Sequence, residues 1–191
     1  MPFGPILRPP LRGVIRLGVV FSRLLQTVKL DRDAFVWMEF NDRATGDAAM
    51  LVGITSILLA LGSGRSLANL INPFELITTI LSGFILWLIY SGAVYAIERY
   101  LLDGHGTFAT ILRITGFAFP TLLLLIFTVR FLTFLPGAVA VAAGGLWFVI
   151  VVAYGMMYTS DLSRDRAFLA SIGGWIAYTI LQAILAGIRI F

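Results

Sequence analysis

Five long apolar runs constrain this chain more than any other feature. Scanning for stretches near the roughly 20 residues that cross a hydrocarbon core of about 30 Å gives 44–63, 74–97, 108–128, 134–158 and 168–190. The charges collect in the short segments between them. A soluble domain breaks its apolar runs every few residues to build a solvated face. Here 59% of the residues are hydrophobic and 13% are charged, against about a quarter charged in soluble domains. Too little polar surface exists to cover a core in water. The expected fold is therefore an all-α integral membrane protein. A bundle of five transmembrane helices (residues 44–191) follows a cytoplasmic amino-terminal segment (residues 1–43) that carries an interfacial amphipathic helix.

Two charges fall inside the runs. Asp47 sits near the entrance of the first, and Arg113 lies about a turn inside the third. The long Arg113 stem is expected to carry its charge back to the interface. The start, MPFGPILRPPLRGVIRLG, is basic but has no continuous apolar core followed by a small-residue cleavage site. The first membrane helix is thus expected to act as an uncleaved targeting signal.

Orientation follows from the positive charges, because short loops rich in Lys and Arg tend to stay in the cytoplasm. The amino-terminal segment and the second and fourth loops carry Arg8, Arg12, Arg16, Arg23, Lys29, Arg32, Arg43, Arg99, Arg113, Arg164 and Arg166, while the other side has Arg65, Arg130 and Arg189. The bias of eleven to three places the amino terminus in the cytoplasm and the carboxyl terminus on the opposite side.

Arg8, Arg12, Arg16, Arg23, Gln26 and Thr27 fall within a sector of roughly 100° on a helical wheel. Val14, Ile15, Phe21, Leu24, Leu25 and Val28 fall elsewhere. Such a stripe suits a helix lying in the headgroup plane, each arginine worth roughly 1 kcal/mol beside anionic lipid. Arg8, Arg12, Arg16 and Arg23 are the candidate docking residues for a membrane surface or a partner. The same stripe also serves simply as a topology determinant. No nucleic-acid reader motif accompanies it. The following segment, DRDAFVWMEFNDR (31–43), reads as a surface helix whose acidic side is solvated.

The chemistry classes are narrow. Cysteine is absent, which removes thiolate nucleophiles, disulfides and Cys-based metal sites. The single histidine, His105, sits in a Gly-flanked loop and reads as a solvated turn residue; one histidine cannot supply two axial ligands to a haem. Glu75, Glu98, Arg130 and Arg189 lie at span ends, so no ionisable group stands at mid-bilayer as proton relays and coupled pumps require. No H-E-x-x-H, G-x-S-x-G or P-loop pattern occurs. No catalytic residue, cofactor or metal is assigned. A channel or transporter would need a water-accessible path through Tyr90, Ser91, Tyr95 and Gln182.

Small residues recur in the fourth run (Gly137, Ala138, Ala140, Ala142, Ala143, Gly144, Gly145) and the fifth (Gly173, Gly174, Ala183, Ala186, Gly187), where close backbone approach lets helices associate in lipid. Part of this material suits a partner subunit or a second copy, with Tyr90, Tyr95, Tyr154, Tyr178 and Gln182 as interhelical hydrogen-bonding groups. Pro120 is expected to kink the third span.

The loop and third span, GHGTFATILRITGFAFPTLLLL, carry Gly104, Gly106, Phe108, Leu112, Gly116, Phe117 and Pro120 in an order that resembles the Yip family (Ypt-interacting proteins, the Yip-one domain). The likeness runs from about Leu11 to the end. It implies five spans, a cytoplasmic amino terminus and a role in scaffolding or membrane organisation. The Asp-Leu-Tyr-Gly-Pro-like segment of eukaryotic members has no counterpart ahead of the first span, so small-GTPase binding is not carried over. The functional expectation is a non-catalytic scaffold that binds other membrane proteins or lipids, anionic headgroups included. An accessory subunit of a larger energy-transducing or transport complex is the alternative.

Overall fold

The computed structural model describes residues 17–131 and 137–188, which form helices joined by short loops, with no strand among the described residues. The first pair is α1 (Leu17–Val28) and α2 (Arg32–Phe40). The turn between them is closed by Leu30 in a left-handed backbone, φ 62°. Asp31 N–H donates to Gln26 O at 2.9 Å and Leu30 N–H to Thr27 O at 3.0 Å. This is a Schellman closure made without glycine. Asp31 then caps α2, its carboxylate accepting Asp33 N–H at 3.1 Å.

The long helices follow. α3 (Ala44–Gly62) leads through the short α4 (Leu67–Ile71) to α5 (Pro73–Leu101). α5 starts where its sequence says it should: Asn72 accepts Phe74 N–H at 3.0 Å, and Pro73 occupies the first position, whose N–H has no helical use. α6 (Phe108–Ala118) passes through a 3₁₀ turn at Phe119–Leu123 into α7 (Leu124–Phe131). The turn contains Pro120, which cannot donate back along an α-helix. α8 (Gly137–Thr159) and α9 (Arg164–Ile188) complete the chain.

Four stretches among the described residues are long and apolar enough to cross a membrane: Ala44–Gly62, Pro73–Leu101, Phe108–Ile126 and Ala142–Thr159. α9 has 25 residues, a rise of about 37 Å, and lies against α5 and α8. The described part of α1 has 12 residues, about 18 Å, shorter than a bilayer crossing.

α5 is the central helix, packed against α3, α6 and α9. Hydrogen bonds cross between the spans at mid-bundle. Trp87 Nε1 donates to Thr115 Oγ1 at 3.0 Å, Ser91 Oγ lies 2.7 Å from the same hydroxyl, and Tyr90 Oη lies 3.0 Å from Ser171 Oγ. Ser171 Oγ in turn donates to Val149 O at 2.9 Å. Tyr90 and Ser91 are thus closed in by neighbouring helices and serve packing. Outward-facing series such as Ile77, Leu81, Ile85 and Leu88 on α5 and Leu169, Ile172, Ile176 and Ile180 on α9 are exposed, as lipid-facing stripes are.

The reading of residues 31–43 as a surface helix is corrected. Ala34, Phe35 and Met38 are fully buried and join the same core as Ile114, Val152 and Met156. Phe35 fits because Gly155 has no side chain there; a Cβ would press on the Phe35 ring and Ile114. Only the opposite side of α2, with Asp33 and Phe40, is open.

Candidate functional site

One end of the bundle gathers α1, α2, the start of α3, the loop 102–107 and the turn 160–163. Most of the buried polar chemistry outside the mid-bundle network lies here, in two arrangements.

The first is built on Glu98. It sits one turn before the end of α5 and is fully buried. Its main-chain carbonyl accepts Gly104 N–H at 3.0 Å, and its Oε1 accepts Gly106 N–H at 2.8 Å. The loop therefore folds back onto the side chain that precedes it. A Cβ at Gly104 would overlap Glu98, and one at Gly106 would overlap both Glu98 and Ser160 Oγ. Space demands glycine at both positions. Arg99 Nη1 donates to Gly104 O at 3.2 Å, and His105 N–H reaches Ser160 O at 3.4 Å, so the loop is tied to the ends of α5 and α8. Glu98 Oε2 and Ser160 Oγ are buried without a hydrogen-bond partner, both beside Gly106. The His105 ring is exposed, as the sequence suggests.

The second arrangement centres on Arg113. Its stem carries the guanidinium to the α2 end of the bundle, where one partner, Asp42, is fully exposed. Arg113 itself is 6% exposed and donates to Thr45 Oγ1 at 2.8 Å, Met38 O at 3.0 Å, Glu39 O at 3.2 Å and Asp42 Oδ1 at 2.7 Å. Two of these acceptors are carbonyls at the end of α2, which a helix leaves open. The planar fork of a guanidinium suits this divergent set, and it joins α6 to α2 and α3.

α1 lies against α2 and α6. Val20 and Thr27 face inward, whereas Leu17, Phe21 and Leu25 are exposed. Among the four candidate docking residues, Arg8, Arg12 and Arg16 lie outside the described residues. Arg23 is folded onto the protein, its guanidinium 5.2 Å from the Trp37 ring centroid and donating to Gln26 Oε1 at 2.9 Å.

The remaining motif residues hold helices together. Gly116 lets α6 approach Ala48 and Trp87, where a Cβ would collide with Ala48. Phe117 is fully buried with its ring edge-on to Trp37 at 5.9 Å. Phe108 stands partly exposed, edge-on to Tyr95 at 5.8 Å. Sequence reasoning missed Glu98 and Arg113 as organising residues; the available signal was a carboxylate placed six and eight residues before two glycines.

Among the described residues, no group of three or more His, Cys, Asp or Glu is placed to hold a metal ion. Apolar outward faces, buried polar residues matched between helices and helices of bilayer length define a multi-pass helical membrane protein. The Yip1 domain model matches residues 34–186, most of the chain, and the chain belongs to that family. The match takes in α2 together with the long helices. Comparison with curated proteins and with solved structures gives no match.

Proposed function

We propose that this Yip1-domain protein is a non-catalytic membrane organiser that binds other membrane proteins or lipids and crosses the bilayer five times. α9 supplies the fifth span. The amino terminus is cytoplasmic, in keeping with the eleven-to-three distribution of positive charge. α1 lies at the cytoplasmic interface with Leu17, Phe21 and Leu25 toward the acyl region.

The observation that carries this reading is how the buried ionisable groups are used. Glu98 binds its own loop, and Arg113 binds α2 and its flank. A catalyst or coupled transporter instead aims such groups at a substrate path. Here they shape the cytoplasmic face.

Extraction from the native membrane in mild detergent, size separation and mass spectrometry of comigrating proteins test the reading. Variable, substoichiometric company or self-association is expected. A fixed stoichiometric set of partners would make the chain an accessory subunit.

A further inference from the structure

Above the Glu98 buckle, the loop 102–107 and the turn 160–163 border an open cleft of about 590 Å³, lined by Leu102, Asp103, His105, Asp161, Leu162, Ser163 and Arg166. Its charges are of both signs. Arg166 supplies a guanidinium that spends one donor on Leu102 O at 3.3 Å. Beside it begins α9, whose first N–H groups, at Arg164, Asp165 and Arg166, precede the first full turn. Such groups have no intrahelical acceptor, and since Asp165 in the same turn already places a carboxylate beside them, the guanidinium of Arg166 is the principal attraction for an anion. Asp103 and Asp161 supply carboxylates, which favour a cation carrying N–H donors.

The walls are held in place. The Asp103 side rests on Glu98 through the Gly104 and Gly106 hydrogen bonds, and His105 N–H ties it to Ser160 O. The position along the bundle is equally specific. α5 ends here with Tyr100 and Leu101 exposed at 76% and 73%, the placement expected of side chains at the headgroup boundary. On α9, Leu169, Ile172, Ile176 and Ile180 are exposed and fall within about 120° of Arg166 at 100° per residue. A charged cleft therefore opens at the head of an apolar, lipid-facing stripe.

From this juxtaposition we infer that the cleft binds the headgroup of a zwitterionic phospholipid bearing a primary ammonium, phosphatidylethanolamine by class. The phosphate lies toward Arg166 and the start of α9, the ammonium toward Asp103 and Asp161, and an acyl chain along the α9 stripe. A phosphatidylglycerol headgroup leaves the aspartates without a cation. A choline headgroup has no N–H for them. The inference deepens the lipid-binding part of the proposed function and rests on that reading only in requiring a bilayer at this level. Partner recovery is read separately, so either can fail alone.

The test uses the full chain in nanodiscs containing equal amounts of phosphatidylethanolamine, phosphatidylcholine and phosphatidylglycerol, followed by release into mild detergent and native mass spectrometry of retained lipid. The intact protein should retain phosphatidylethanolamine about tenfold over either competitor, as one or two charge-assisted hydrogen bonds provide. Asp103→Asn with Asp161→Asn should reduce that preference below about twofold with lipid still bound. Arg166→Gln should lower retention of all three lipids. These are exposed polar positions, and an unchanged melting temperature separates their effect on binding from loss of fold. Equal retention by the intact protein would overturn the inference, as would a preference that survives the double substitution. Displacement of the lipid by soluble phosphoethanolamine at equal concentration would overturn its assignment to a lipid.

Discussion

Glu98 and Gly106 are joined by a 2.8 Å hydrogen bond across eight residues, and the same carboxylate fills the space that a side chain at Gly106 would need. Sequence, loop shape and buried charge are coupled at this point. Gly104→Ala and Gly106→Ala should each destabilise the protein by about 1–3 kcal/mol, the usual cost of overpacking a filled site. Glu98→Ala removes the carboxylate atoms and leaves Ser160 Oγ as the remaining obstruction at Gly106. Combined with Gly106→Ala it should cost less than the sum of the two single changes, a coupling that a double-mutant cycle measures. Thermal unfolding in detergent gives each value. Gly92→Ala is the control: nothing lies within 4 Å of its Cβ position, and helix propensity alone should leave it neutral or slightly stabilising. Strict additivity of the Glu98 and Gly106 changes would remove Glu98 as the reason for the glycine.

Arg113 satisfies carbonyls on α2 that no other donor among the described residues reaches. Arg113→Met should therefore cost about 3 kcal/mol, because it leaves buried acceptors open. Hydrogen exchange should rise first in α2. Lysine keeps the charge but loses the fork, so Arg113→Lys should fall between the two. Asp42 is fully exposed, and Asp42→Asn should change the melting temperature little. Equal effects of Asp42→Asn and Arg113→Met would place the stabilisation in the ion pair, against the carbonyl contacts.

Phe21 and Leu25 project from α1 into the surroundings at 61% and 44% exposure. In the proposed placement they are immersed beside lipid. Phe21→Asp with Leu25→Asp should leave the bundle's melting temperature nearly unchanged in detergent, since neither side chain is part of the core. In membranes the same change should expose α1 to protease. Protection equal to that of the unaltered chain would mean that α1 is covered by protein.

How far the sequence reached depends on what kind of information each element carries. Four of the five expected spans were legible as helices long and apolar enough to cross a membrane, because bilayer length and the scarcity of charge are properties of a run. Pro120 marked the break in the third helix for a similarly local reason, the missing donor. α2 was misjudged because Asp31, Asp33 and Glu39 are close in sequence to Phe35 and Met38 but point elsewhere; only the packing of Gly155 and Ile114 reveals that its other face is buried. The long stem of Arg113 was legible as a way to bring its charge to the bundle end, but not its partners Met38, Glu39 and Thr45, some seventy residues earlier. The cleft brings together two loops on different sides of α6, α7 and α8, a relation no local pattern encodes. The family motif was legible as residues, but the job of Gly104 and Gly106 required knowing where Glu98 points.

The absence of cysteine makes topology directly measurable, since any single introduced thiol is unique. Ser163→Cys and His105→Cys lie on exposed loops at the α1–α2 end, and Ser66→Cys lies exposed between α3 and α4 at the other. On the proposed topology, the first two should react with a membrane-impermeant maleimide only after the cytoplasmic face is opened, and Ser66→Cys should react in intact cells. Reversal of all three would invert the protein and place α1 outside. Opposite results for His105 and Ser163 would break the shared face on which the headgroup cleft depends, because the two loops would then lie on different sides of the membrane.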